Sequence, residues 1–361
     1  MRIAIVTHGV SPFGHLYARA FRRHGQEAEV FSLTPVPEKM AEGPVTVVGP
    51  SDFRPWDTPS RLAYLKTVRP LRRGVRRFGA DVVFGLYLSS GGVMACLSGG
   101  PHVAVSAQGS DVNTRIGSRL WRRVFRWEAR KATVVHAVSE PLADTLHQHF
   151  GIDRRRIHVS PVGVDTEFLQ PVEPDERPNE NRVIDTRAHR PVYRQETVVR
   201  AAVRLRDRGV PCRVTFTSTR DAERTHRLVD EHGAGDVVTF RDGYAYEELP
   251  RVLGAADVYV SASESDGTSQ SLLEAMATET FPVVSDIPAN RPWVEHEKNG
   301  LLFPVGDDAA LADCLERAFA DEALRARAAP LNRRIARERG DVYNEARKLL
   351  AAFKAHMDEE G

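Results

Sequence analysis

The sequence predicts an α/β fold, with parallel sheets crossed by helices and divided into two domains. Three observations carry this. Residues 258–285 hold a β-prone run, Val258-Tyr259-Val260-Ser261, then Leu272, Leu273, Met276 and Ala277 at helical spacing, then a second β-prone run, Phe281-Pro282-Val283-Val284-Ser285. A strand–helix–strand unit needs a right-handed crossover, and so parallel strands. The chain opens in the same way, with a buried-type strand at Arg2–Thr7, a loop at His8–Gly14, a helix around Leu16–His24 and a strand at Ala28–Ser32. At 361 residues the chain is long for one core and suits two domains of ordinary size.

Composition narrows the class. The formal net charge is +1, which selects no partner. Cys96, Cys212 and Cys314 are widely separated and odd in number, as expected of reduced thiols in a cytoplasmic protein rather than of disulfides or a zinc site. The start, MRIAIVTHGV, enters a strand without a basic leader, so no signal peptide is expected, and no apolar run is long enough to span a bilayer. His147 and His149 lie two apart in a predicted helix and point to different sides, so they make no metal site.

Taken in order, the first loop carries glycine but no GxGxxG, which weighs against NAD. From Arg61 to Arg77 seven cations occur with no acid, while Leu62, Leu65, Val68, Leu71 and Val75 keep helical spacing and Pro70 should kink or split the element. Such a basic amphipathic segment is a candidate for contact with an anionic acceptor or an anionic membrane surface at the inner face of the membrane, or it is simply a solvated face. A second basic helix, Arg115–Lys131, holds six arginines and Lys131 against Glu128 alone. Neither carries a nucleic-acid motif. Asp81–Gly85, Val103–Ser106 and Thr133–Glu140 read as further strands, the last leading into a helix at Pro141–Phe150. Gln170–Asn181 is polar and proline-rich and reads as a linker. Strands follow at Val183–Arg187, Val214–Thr217 and Val237–Phe240, and helical patterns at Ala309–Ala320 and Val342–Met357.

The link Ser263–Gln270 contains no large apolar residue. It falls between the carboxyl end of a strand and the amino end of a helix, where α/β sheets bind ligands and free N–H groups attract anions. Asp266 and Glu274 frame it. Carboxylates accept hydrogen bonds from hydroxyls but repel phosphate, which suggests a ligand with both sugar and phosphate. Asp266 as an N-cap and Glu274 as a solvated helix residue are equally open readings.

DGTSQSLLEAMA…FPVVSD resembles the E-x7-E segment of the retaining family 4 glycosyltransferases, which have the GT-B architecture of two Rossmann-like domains with parallel sheets facing an interdomain cleft. Other segments are similar to that family: Gln108-Gly109-Ser110-Asp111-Val112, Ile157–Asp165 with Val162 for the usual Asn, and Asn299–Pro304. The resemblance implies an acceptor domain at residues 1–168, a linker at 169–181, a donor domain at 182–340 and a last helix, about 341–361, packed back on the first domain. It implies that Glu274 holds the donor ribose, that Asp266, in place of the usual Glu, contacts the donor sugar, and that the Gly267-Thr268-Ser269 backbone meets sugar and phosphate. Arg187 would grip the diphosphate, with Arg190 or Arg194 replacing a missing Lys. The Arg241–Gly243 loop would read the base through backbone atoms, those of Arg241 and Gly243 among them. Gln108 stands where the family often has His, and cannot serve as a general base. Gly14, His15, Ser110 and Asp111 would lie on the acceptor side. The implied reaction transfers a hexosyl group from a nucleotide-diphospho-sugar to a glycan, lipid-linked or small-molecule acceptor, with no metal and no further cofactor. A nucleotide-sugar epimerase and a non-catalytic binding protein remain alternatives.

Overall fold

The computed structural model describes residues 1–37, 43–50, 64–173, 180–217, 222–241 and 243–359. Parts of three expectations lie outside them: Arg61 and Leu62 of the first basic segment, residues 174–179 of the linker, and Asp242 of the Arg241–Gly243 loop.

The chain divides into two compact units, one of Met1–Val162 with Val342–Gly361 and one of Gly163–Asp341. The first unit runs β1 (Arg2–Thr7), α1 (Pro12–Arg23), β2 (Glu27–Ser32), β3 (Val45–Val47), α2 (Leu65–Phe78), β4 (Val82–Leu86), α3 (Val93–Leu97), β5 (His102–Ala107), α4 (Ser110–Asn113), α5 (Arg119–Lys131), β6 (Val134–Ala137), α6 (Glu140–Phe150) and β7 (Ile157–Val159). Among the described residues its seven strands form one parallel sheet in the order β3-β2-β1-β4-β5-β6-β7. The second unit runs β8 (Asn181–Asp185), α7 (Gln195–Asp207), β9 (Cys212–Phe216), α8 (Glu223–Glu231), β10 (Val238–Phe240), α9 (Leu249–Gly254), β11 (Val258–Ser261), α10 (Gln270–Ala277), β12 (Phe281–Ser285), β13 (Leu301–Phe303), α11 (Asp308–Ala320) and α12 (Glu322–Arg339). Its described strands are again parallel, in the order β10-β9-β8-β11-β12-β13. The last helix, α13 (Val342–Glu359), packs on α1 of the first unit.

The strand runs are apolar because helices cover both faces of a parallel sheet. β4, β11 and β12 are buried at every position. In the first unit Phe84 meets Tyr17 of α1 and Phe353 of α13, with ring centroids 5.3 and 5.5 Å apart.

Two local expectations are corrected. α1 starts at Pro12, four residues earlier than its apolar spacing indicated. Proline at the first helical turn loses no needed donor and its fixed φ suits the helix. Gly14 and His15 therefore sit in the first turn of α1 rather than in a loop. α2 runs unbroken through Pro70. Pro70 and Lys66 are exposed, so water can satisfy the Lys66 carbonyl that the missing N–H leaves unbonded. Gly79, at φ 66°, ends this helix in the left-handed region.

Candidate active site

In both sheets the strand order reverses direction once, between β1 and β4 and between β8 and β11. Loops leaving the carboxyl ends of such neighbouring strands diverge and open a crevice for ligands. In the second unit these loops carry Arg187, after β8, and Asp266, after β11.

Arg187 is buried, 8% exposed, and every contact orients its guanidinium. Nη2 donates to Asp266 Oδ2 at 2.7 Å, and Nη1 donates to Ser269 Oγ and Ser271 Oγ, both at 3.1 Å. Its Cζ lies 4.0 Å from the Tyr193 ring centroid, a cation–π distance. The Arg187 amide donates to Asp185 Oδ1 at 2.8 Å. Burial pushes the Asp185 carboxyl up to about 7, against the pull of the Arg187 amide and charge.

Further ties join the same two loops. Glu264 N–H donates to Val192 O at 2.9 Å, and Arg194 Nη1 pairs with Glu264 at 2.8 Å. Ser269 Oγ accepts from Leu272 N–H at 3.3 Å and so caps α10. The cap is thus Ser269, not Asp266, whose Oδ1 accepts from Gly267 N–H at 2.8 Å. Gly267 and Thr268 lie between the ion pair and the helix start, where free N–H groups and the helix dipole favour an anion.

Glu274, one turn into α10, is half-buried, and its carboxyl is pushed up to about 7 by burial, opposed by the charge of Arg187. Tyr244 senses the Glu274 charge: its hydroxyl is pushed up to about 12 by burial and by that charge, with Thr217 as its hydrogen-bond partner. Tyr244 follows the Arg241–Gly243 loop at the end of β10. There the Arg241 N–H donates to Phe216 O at 2.8 Å, while Gly243 is exposed with open space around it. Arg190 is not among the groups bonded to Arg187 or Asp266. It is exposed and lines a separate hollow of about 250 Å³ with Arg194, Arg200, Arg224, Glu264 and Asp308 at the start of α7.

In the first unit Gln108, Gly109 and Asp111 form one turn after β5. Asp111 is turned inward: Oδ1 accepts from the Gln108 and Gly109 amides at 3.0 Å each, and Oδ2 from the Leu88 amide at 2.6 Å. Burial pushes its carboxyl up to about 6, against the pull of those amides. Gln108 ends a buried chain whose polarity is fixed. The Ser160 carbonyl accepts from His136 Nε2 at 2.8 Å, so Nδ1 must accept from the Ser106 hydroxyl at 2.7 Å, and Ser106 Oγ then accepts from Gln108 Nε2 at 2.6 Å. Burial holds His136 neutral, down to about 3. Gly14 lies against Thr7, where a Cβ would stand 2.5 Å from Cγ2; His15 is buried beside it, and Ser110 is exposed.

The structure therefore gathers Arg187, Asp266, Ser269 and the Gly267-Thr268 backbone, with Glu274 within reach of the Arg187 charge. Sequence reasoning missed Ser271, Tyr193 and Tyr244. The only signal for Ser271 was its place two residues beyond the cap, and nothing local marks the two tyrosines.

Comparison with known proteins gives a consistent family. Residues 8–168 match the family model described as Glycosyltransferase Family 4, and residues 169–334 match that described as Glycosyl transferases group 1. The MMP alpha-(1->4)-mannosyltransferase of Mycolicibacterium hassiacum is 31% identical over 218 residues, 57% of this chain and 49% of that protein. The putative glycosyltransferase EpsD of Bacillus subtilis is 26% identical over 215 residues, 55% of this chain and 54% of that protein. The chain spans about half the length of the curated relatives it matches. Sucrose-phosphate synthase from Thermosynechococcus elongatus superposes over 99% of this chain and 100% of its own with a TM-score of 0.84 at 18% identity. HepE of Anabaena, solved with UDP and glucose, covers 98% of this chain and 100% of its own with a TM-score of 0.78 at 17% identity. At such identities the structural likeness speaks for the GT-B fold alone. Two family models that abut and together run from residue 8 to residue 334 show that the chain joins a Glycosyltransferase Family 4 domain to a Glycosyl transferases group 1 domain.

Proposed function

We propose that the chain transfers a hexosyl group from a nucleotide-diphospho-sugar to an acceptor hydroxyl, on a glycan, a lipid-linked molecule or a small molecule, with retention of anomeric configuration. The observation that carries this is the buried Arg187 guanidinium, held between Asp266 and the capping serine of α10 beside a strand-order reversal. A departing nucleoside diphosphate gains negative charge as the glycosidic bond breaks, and a fixed cation next to helix-terminal amides stabilises that charge most where it develops. Arg187 and those amides take the phosphates; Arg190 and Arg194 add positive potential at the start of α7. Asp266 accepts a hydroxyl of the donor sugar, Glu274 accepts the ribose hydroxyls, and the Arg241–Gly243 loop meets the base.

Gln108 has no proton-accepting nitrogen at neutral pH, so it orients rather than deprotonates. Attack on the face that the diphosphate leaves lets a phosphate oxygen take the acceptor proton, which supports retention without a protein base. Gly14, His15 and Ser110 belong to the acceptor side, and Asp111 holds the Gln108 turn in place. The relatives with UDP, or with UDP and glucose, support a nucleotide sugar as donor. The reaction as drawn uses no metal, because arginine and amide N–H groups supply the positive potential.

The test is a screen of nucleotide sugars for release of free nucleotide, with and without candidate acceptors, followed by NMR of the product anomer. Turnover with the donor's anomeric configuration preserved is expected. Tight donor binding without any turnover would overturn the reading in favour of a binding protein.

A further inference from the structure

The first unit carries two basic helices that the transfer reaction does not use. α2 links β3 to β4 and α5 links β5 to β6, and both crossovers advance across the sheet in the same direction. Right-handed connections therefore put both helices on one face. α3 lies between them and packs against each, and Arg72 Nε donates to Leu97 O at its end, 2.8 Å away.

This face is charged with one sign. α2 exposes Lys66, Arg69, Arg72, Arg73, Arg76 and Arg77, and α5 exposes five arginines and Lys131. α2 contains no acid, and the one acid of α5, Glu128, is fully buried. Among the described residues none of these twelve cations is ion-paired, whereas Arg194, Arg204, Arg208 and Arg213 of the second unit each meet a carboxylate. In a chain with 50 basic and 49 acidic residues, that segregation is a local property of the face.

Apolar side chains emerge at one end of it. Leu65 opens α2 with 57% of its surface exposed, and Ile116 and Leu120, 46% and 65% exposed, flank the start of α5. Helices between parallel strands run against them, so both helices begin at the sheet edge where β5 delivers the Gln108–Asp111 turn. A single exposed leucine needs no explanation. Three at one end of a face whose twelve cations meet no carboxylate among the described residues, with Arg72, Arg122 and Arg126 donating only to backbone carbonyls, make the pattern of an interfacial surface, with an apolar part for the acyl boundary and cations for headgroups. A nucleic acid would match the charge but would meet mainly aliphatic side chains, since Trp121 and Phe125 of α5 are turned into the core and Trp127 is half-buried.

We propose that the α2–α5 face docks on an anionic lipid bilayer, its cations against acidic headgroups and Leu65, Ile116 and Leu120 in the acyl boundary. The docking goes beyond the transfer reading and needs neither donor nor acceptor.

The experiment is co-sedimentation of the full chain with vesicles of phosphatidylcholine alone and of phosphatidylcholine mixed with phosphatidylglycerol. Retention is expected only on the mixed vesicles and should weaken as salt rises. The triple variant Arg73→Gln/Arg76→Gln/Arg77→Gln should lower partitioning by about 100-fold. Leu65→Gln/Leu120→Gln, with every charge kept, should lower it by about tenfold. All five positions are exposed, and unfolding midpoints equal to wild type establish that the variants fold. Failure of mixed vesicles to retain the wild-type chain at low salt would overturn the proposal. So would retention that the leucine variant leaves unchanged while soluble heparin competes fully, because that pattern belongs to a soluble polyanion.

Discussion

Arg187 Nη2 lies 2.7 Å from Asp266 Oδ2 although 79 positions separate the two residues in sequence. The pair is 8% and 16% exposed, so each charge depends on the other for the solvation it has lost. Removing one partner of such a pair leaves an uncompensated buried charge. Asp266→Ala should therefore cost about 3 kcal/mol in urea unfolding. Asp266→Asn, which keeps an acceptor for Nη2, should cost less.

Arg187→Lys keeps the charge but cannot reach Asp266, Ser269 and Ser271 at once, because only the guanidinium fork presents donors in that geometry. If the cation acts on the leaving diphosphate, kcat should fall by about 100-fold with a smaller change in KM. Steady-state kinetics with saturating acceptor would separate the two.

Glu274 and Asp185 are both pushed up to about 7. The folded chain thus keeps protons that an unfolded carboxyl has already released, so the stability these groups contribute is full below the ordinary carboxylate range and is lost as pH rises through about 7. His136, pushed down to about 3, acts in the opposite direction: its share is lost as pH falls through 3 and is complete above the ordinary histidine value. Between pH about 6.5 and 8 the carboxyls therefore dominate. The ligand-free chain should lose unfolding free energy across that interval, and Glu274→Gln should flatten the loss. Donor affinity should move the other way, weakening below pH about 7 by up to about tenfold per unit, because ribose hydroxyls need the charged acceptor.

Glu128 is fully buried in α5, and neither carboxyl oxygen has a hydrogen-bond partner among the described residues. Burial, and then the charge of Asp111, push its carboxyl well above the usual range. A buried polar group without partners costs free energy, so Glu128→Met should raise stability by about 1–3 kcal/mol. Calorimetric unfolding midpoints of the two proteins would check it.

Much of the architecture could be read in the sequence where burial imposes a pattern. β11, α10 and β12 occupy the predicted positions because each keeps one apolar period from end to end. β3, three residues long and only half-buried, leaves no such run. α12 is largely polar, with Leu324, Ala328, Asn332 and Ala336 as its buried positions, and offers a weak stripe. The site divides in the same way. Asp266 and Glu274 stand on one continuous segment, so their spacing could be seen, and Arg187 ends a strand. Tyr193 and Tyr244 reach the site through separate loops, and only the sheet order brings those loops together. Asp111 was placed on the acceptor side by its motif, but its bonds to three backbone amides are a matter of rotamer, which sequence does not encode.

The central claim is that one acidic turn holds sugar hydroxyls while Arg187 takes the diphosphate. Titration calorimetry of a nucleotide-diphospho-sugar into wild type and Glu274→Ala tests it most directly. A loss of about 100-fold in affinity, with the variant still cooperatively folded, is the predicted result. Equal affinity in the two proteins would contradict it.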